Sequence, residues 1–103
     1  MIVNILGADY TVKVGKLKKG LFGDCDTDKK LIRVNDEKGE PAETLIHEVI
    51  HAALHESGVV HIINHTEGLE EAIVRAVEHG LRTAEMIPDF PIEEKEEETH
   101  ESN

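Results

Sequence analysis

Hydrophobic and polar residues alternate at the start of the chain. Ile2, Val3, Ile5 and Leu6 precede Gly7-Ala8-Asp9, and Tyr10, Val12 and Val14 follow it. Apolar residues before a turn and a two-residue period after it predict a β-hairpin. "KKGLFGDCDTDKK" holds two glycines and three aspartates and reads as a loop. "KLIRVND" supplies a third strand through Leu31, Ile32 and Val34. The period then lengthens. Ile46, Val49, Ile50 and Ala53 form an i, i+3, i+4, i+7 stripe, the expected core face of a helix from about Ala42 to Glu56. Pro41 suits its first turn, and Ser57-Gly58 closes it. "VVHIINHTEG" leads to a second helix, from about Glu67 to Met86, with Thr66 as its expected N-cap and Pro88 as its limit. Leu69, Ile73, Ala76, Val77, Gly80 and Ala84 form its apolar arc. Strands first and helices after predict an α+β fold with a small, three-stranded twisted sheet.

The candidate chemistry lies in "ETLIHEVIHAALHESG". Helical residues advance by about 100°, so His47 and His51 lie roughly 40° apart on one face and can share a tetrahedral zinc ion. Glu48 flanks the pair without being a ligand, where it can take a proton from a zinc-bound water. "HEVIH" therefore has the form H-E-x-x-H. Catalytic zinc commonly keeps three protein ligands and one open position, so a third ligand is required. His55 lies about 12 Å from His47 along the axis and cannot easily converge with the pair, which makes it a cleft-edge or solvent residue. A metzincin extension fails because Leu54 and Ser57 stand where Gly and His are needed. His61 and His65 read as surface residues of the connection. On the second helix, Glu70 falls inside the apolar arc and Glu71 at its far edge, and the wheel does not choose between them.

The whole composition narrows the class. A chain of 103 residues holds one core, here assigned to 1–90, with "IEEKEEETHESN" inside an acidic tail, 91–103, expected to be disordered. Two Phe, one Tyr and no Trp leave an aliphatic core. A formal charge of −11 argues against a nucleic-acid partner. The lone Cys25 excludes an internal disulfide and fits a reducing compartment. No leader pattern and no apolar run of about 18 residues is present, so no membrane association and a cytoplasmic location are expected. Asp24 and Asp26 read as loop-capping residues, and Cys25 as an isolated thiol. Tyr10, His61 and His65 are the candidates, on chemistry alone, for stabilising a tetrahedral intermediate.

"HEVIH" followed some twenty residues later by "EEAIV" resembles the gluzincin arrangement, in which a glutamate on a second helix completes a His-His-Glu zinc site. The resemblance implies Glu71 as that ligand, because Leu69, Ile73, Ala76 and Val77 meet the family's apolar pattern around it. Gluzincins often carry an acidic residue four positions after the ligand, supporting a histidine; Arg75 stands there. The hairpin, "GDCD", the third strand and both helices together resemble the compact minigluzincins and related phage and prokaryotic metallopeptidases, over roughly 1–86. That implies a minimal zincin fold and zinc-dependent hydrolysis of peptide bonds. One zinc ion per chain would be held by His47, His51 and Glu71, with Glu48 activating water. The expected partner is a peptide or protein substrate, paired with Leu31 to Val34 as an edge strand, on a monomeric enzyme. Minigluzincin zymogens imply that the tail can enter the cleft and hold the enzyme latent. The alternative expectation is a zincin-shaped regulatory or interaction module with weak or no proteolysis.

Overall fold

The computed structural model describes residues 1–17 and 20–87. The expected tail over 91–103, the domain limit at 90 and any latency built on them lie outside the described residues. The fold is α+β, a four-stranded mixed sheet with three helices. Strands β1 (Ile2–Ile5) and β2 (Ala8–Gly15) form the antiparallel hairpin, with Ile5 opposite Ala8. Its turn is Leu6-Gly7, one residue earlier than expected, with φ of 53° and 95°. Two successive positive φ values match the twist of a two-residue hairpin loop. Asn4 ties the turn down: its Nδ2 donates to Asp9 Oδ1 at 2.8 Å, and Gly7 N–H donates to its Oδ1 at 3.1 Å.

"GDCD", expected as loop, is strand β3 (Gly23–Asp26), so the sheet has four strands rather than three. It pairs antiparallel with β4 (Leu31–Asn35), which also runs parallel to β2. The order is β1-β2-β4-β3. The expected edge strand, Leu31 to Val34, is therefore interior, and β1 and β3 form the edges. Glycine and aspartate are poor strand formers, but Asp24 lies opposite Arg33 and pairs with its guanidinium through both carboxylate oxygens. That cross-strand pair compensates for the weak propensity.

Tyr10, Val12, Val14, Ile32 and Val34 are buried on one face of the sheet. Helix α1 (Pro41–Glu56) covers that face with Leu45 and Ala52, and Val49 and Ala53 pack beside them. The buried face of α1 is centred on Leu45, Glu48 and Ala52 rather than on Ile46 and Ile50, which remain half-buried. A one-turn helix, α2 (Val60–Ile63), leads to α3 (Leu69–Thr83), which packs along α1. The N-cap of α3 is Gly68 at φ 82°, not Thr66, whose carbonyl instead accepts the Leu69 N–H at 3.1 Å. The helix ends at Thr83 rather than Met86. Glu85 turns to φ 58°, Met86 N–H reaches Leu81 O at 2.8 Å, and Glu85 N–H reaches Arg82 O at 3.0 Å. These two bonds close the last turn in the Schellman pattern. No described helix is long and apolar enough to cross a membrane.

Candidate metal centre

Two helices bring three side chains to one point. His47 and His51 project from successive turns of α1, with ring centroids 5.0 Å apart. Glu71, in the first turn of α3, meets both: Oε2 lies 3.1 Å from His47 Nε2, and Oε1 lies 3.0 Å from His51 Nε2. One donor atom from each of the three lies within 4.8 Å of the others, a group that can hold a metal ion. The wheel left Glu70 and Glu71 level; in three dimensions only Glu71 faces both Nε2 atoms.

The remaining ring nitrogens are also engaged. His47 Nδ1–H donates to Glu78 Oε1 at 2.9 Å, and His51 Nδ1–H donates to Glu70 Oε2 at 2.7 Å. With Nδ1 donating to these carboxylates each ring turns its Nε2 toward Glu71, and the paired contacts fix the ring's orientation. The supporting acid missing at Arg75 is thus supplied by Glu78 for one histidine and Glu70 for the other. The apolar arc of α3 gives no hint of Glu78. That arc points outward: Ala76 and Gly80 are exposed, and Val77 is 43 % exposed. Val74 is buried, and Glu70, Glu71 and Glu78 turn toward α1. The available signal was the seven-residue spacing of Glu71 and Glu78, which puts both carboxylates on one helical face.

Glu48 is buried, although it is a carboxylate, at 8 % exposure. Burial pushes its pKa up, while His47 and His51 pull it down and Asp24 and Glu71 push it up again; the net direction is upward. For Glu71 burial also pushes up, but the Arg75 hydrogen bond at 3.1 Å and the two imidazoles outweigh it, and the carboxyl sits below its ordinary value. A carboxylate held ionised opposite two imidazole nitrogens is a hard, anionic ligand. The three donors could together hold a metal ion at this point.

Two clefts meet at the cluster. The larger, about 840 Å³, runs past Leu21, Phe22, Thr44, Arg75 and Arg82, and the smaller, about 450 Å³, past Asp24, Cys25, Thr27 and His55. Both share Gly23, His47, Glu48 and Glu71. The common wall is the start of β3. A Cβ at Gly23 would stand 2.8 Å from Arg33 O and 2.7 Å from Thr44 Cγ2, so glycine there lets β3 approach α1 closely.

The other candidates fall into place around this junction. His55 is exposed and borders the smaller cleft, as a cleft-edge residue. His61 and His65 are exposed and line neither cleft. Tyr10 is fully buried, and its hydroxyl donates to Glu56 Oε2 at 2.7 Å, at the far end of α1 from Pro41. Asp26 caps the turn after β3, accepting the Asp28 and Lys29 N–H groups at 3.0 Å, whereas Asp24 is the partner of Arg33. Cys25 is half-buried and outside the ligand group; burial, then Glu48 and Asp24, push its thiol up to about 12, which makes it a poor nucleophile. No family model, curated protein or solved structure matches the chain.

Proposed function

We propose that this protein is a zinc-dependent peptidase of the gluzincin type. One zinc ion is held by His47, His51 and Glu71, and Glu48 is the general base. When bound, the ion supplies a Lewis acid that acidifies water and polarises a carbonyl. The residues of the chain do the rest. Glu70 and Glu78 hold the imidazoles in register. Glu48 waits beside them in a partly desolvated position, where a carboxylate is a stronger base than in water. The substrate lies extended along the free edge of β3, adding a strand there rather than at Leu31 to Val34, and passes through both clefts.

The observation that carries this reading is Glu48: a buried, non-ligating carboxylate at the junction of two clefts, beside three convergent donors. A purely structural metal site has no use for such a group. The alternative, an inactive interaction module, rests on two gaps, a missing acid partner at position 75 and no identified electrophile; Glu70 and Glu78, each hydrogen-bonded to a histidine, fill the first. Glu48→Gln is the test. The variant is expected to keep about one zinc per chain by elemental analysis. It is expected to lose hydrolysis of β-casein by roughly 10²-fold or more. Equal turnover by variant and wild type would remove Glu48 as the base.

A further inference from the structure

The tetrahedral oxyanion formed in peptide hydrolysis needs a hydrogen-bond donor, and the sequence offered Tyr10, His61 and His65 for that task. The structure withdraws all three. The Tyr10 hydroxyl is spent on Glu56, and neither histidine lines a cleft at the cluster. Two cations do line the larger cleft, Arg75 and Arg82. The guanidinium of Arg82 is engaged by Glu43 at 3.4 Å and His79 at 2.8 Å. Arg75 differs. It donates only Nε, to Glu71 Oε2 at 3.1 Å, and its two Nη groups have no hydrogen-bond partner among the described residues. Its side chain is 74 % exposed, yet this one bond anchors it to the carboxylate that faces both histidines.

We infer that Arg75 is the electrophile of this site, its Nη groups donating to the oxyanion of the scissile carbonyl. This rests on the peptidase reading above. In the step concerned, Glu48 takes a proton from water as the water oxygen bonds to the carbonyl carbon. The π pair moves onto the carbonyl oxygen, which Arg75 stabilises by charge-assisted hydrogen bonds. The C–N bond then breaks, and the departing amine receives the proton from Glu48. The guanidinium stays charged throughout, so its contribution requires no proton transfer of its own. Nε held by Glu71 ties the guanidinium to the candidate ligand and leaves its Nη groups available at the wall of the larger cleft. An arginine thus stands where the resembling enzymes carry an acid, and the carboxylate role has moved to Glu78.

The experiment uses the full chain, zinc-loaded, as wild type, Arg75→Ala, Arg75→Lys and Glu48→Gln. Zinc affinity is measured by chelator competition, and turnover of β-casein and of a peptide spanning its first cleaved bond is followed. Binding of the phosphinic analogue of that peptide, a tetrahedral anion, is titrated as well. Arg75→Ala is expected to lower kcat about 10²-fold at saturating zinc, with KM changed less than about threefold. It should weaken the phosphinic analogue by a similar factor, and saturating zinc should restore neither loss, although removing the Glu71 hydrogen bond itself lowers zinc affinity by about 10-fold. Arg75→Lys should recover part of both losses. If excess zinc instead restores kcat in Arg75→Ala, Arg75 only holds Glu71. Unchanged kcat and unchanged phosphinic binding would equally overturn the assignment. Wild type indistinguishable from Glu48→Gln would sink the peptidase reading itself, a separate result from either of these.

Discussion

Glu71 carries one carboxylate between two imidazoles, and its two neighbours in the cluster do different work. Glu70 and Glu78 touch only Nδ1 atoms, so removing either loosens a ring, whereas removing Glu71 deletes a donor. Glu71→Ala is therefore expected to lower zinc affinity by several orders of magnitude, and Glu70→Ala or Glu78→Ala by about 10- to 100-fold. Competition with a chromogenic chelator ranks them. A Glu70 variant weaker than the Glu71 variant would reassign the third ligand. Legibility in the sequence followed the chemistry of each residue. His47, Glu48 and His51 announced themselves because their spacing is that of a helical turn, with little else to explain it. Glu71 needed the resemblance to separate it from Glu70. Glu78 stayed hidden because a pattern reading assigns apolar residues to the inner face, and here three carboxylates with partners take that face.

At the scale of elements, the far end of α1 is fixed to the sheet by polar contacts. Tyr10 of β2 and Lys30, in the turn before β4, both donate to Glu56 Oε2 at 2.7 Å, and the Lys30 ammonium lies 5.6 Å from the Tyr10 ring centroid. Tyr10→Phe keeps the ring and deletes the hydroxyl. It should cost about 1–2 kcal/mol in urea unfolding at pH 7. The pH dependence has a definite sign. The Lys30 and Tyr10 hydrogen bonds hold the Glu56 carboxyl below its ordinary value of 4.5. The stability it contributes is thus fully present above that value and is lost as pH falls through the lower, folded one. With one of the two donors gone, the depression shrinks, and the acid-unfolding midpoint of Tyr10→Phe should lie at higher pH than wild type. An unchanged midpoint would mean that Lys30 alone sets it. The hairpin and α1 were readable because local period and burial agree. β3 was not, since a strand of two aspartates and a glycine depends on Arg33 across the ladder, a contact that no local window contains.

For the molecule as a whole, the candidate ligands join α1 to α3, two helices separated in sequence by α2 and its flanking turns. A metal bound only by the folded chain stabilises it by mass action, about 2.7 kcal/mol at a hundredfold excess over Kd. In a domain of this size that raises Tm by roughly 10 °C or more. Differential scanning calorimetry with zinc and with chelator should show that shift, and Glu71→Ala should abolish it. A wild-type Tm indifferent to zinc would argue against the site. The strand order carries one more consequence, for the order of assembly. β1 and β2 close over a two-residue turn, and β3 and β4 over residues 27–30, so each hairpin forms from neighbours in sequence. Only the parallel seam between β2 and β4 must bring distant segments together. The nucleus of folding is therefore expected to lie along that seam. Val34→Ala should slow refolding, while Val60→Ala, at the buried start of α2, should chiefly speed unfolding, as stopped-flow chevrons would record. The reverse pattern would place the nucleus among the helices. With the nucleus at the seam, the wall at Gly23 is expected to be in place before Glu71 of α3 reaches the histidines, so the candidate metal site should be the last part of the protein to form.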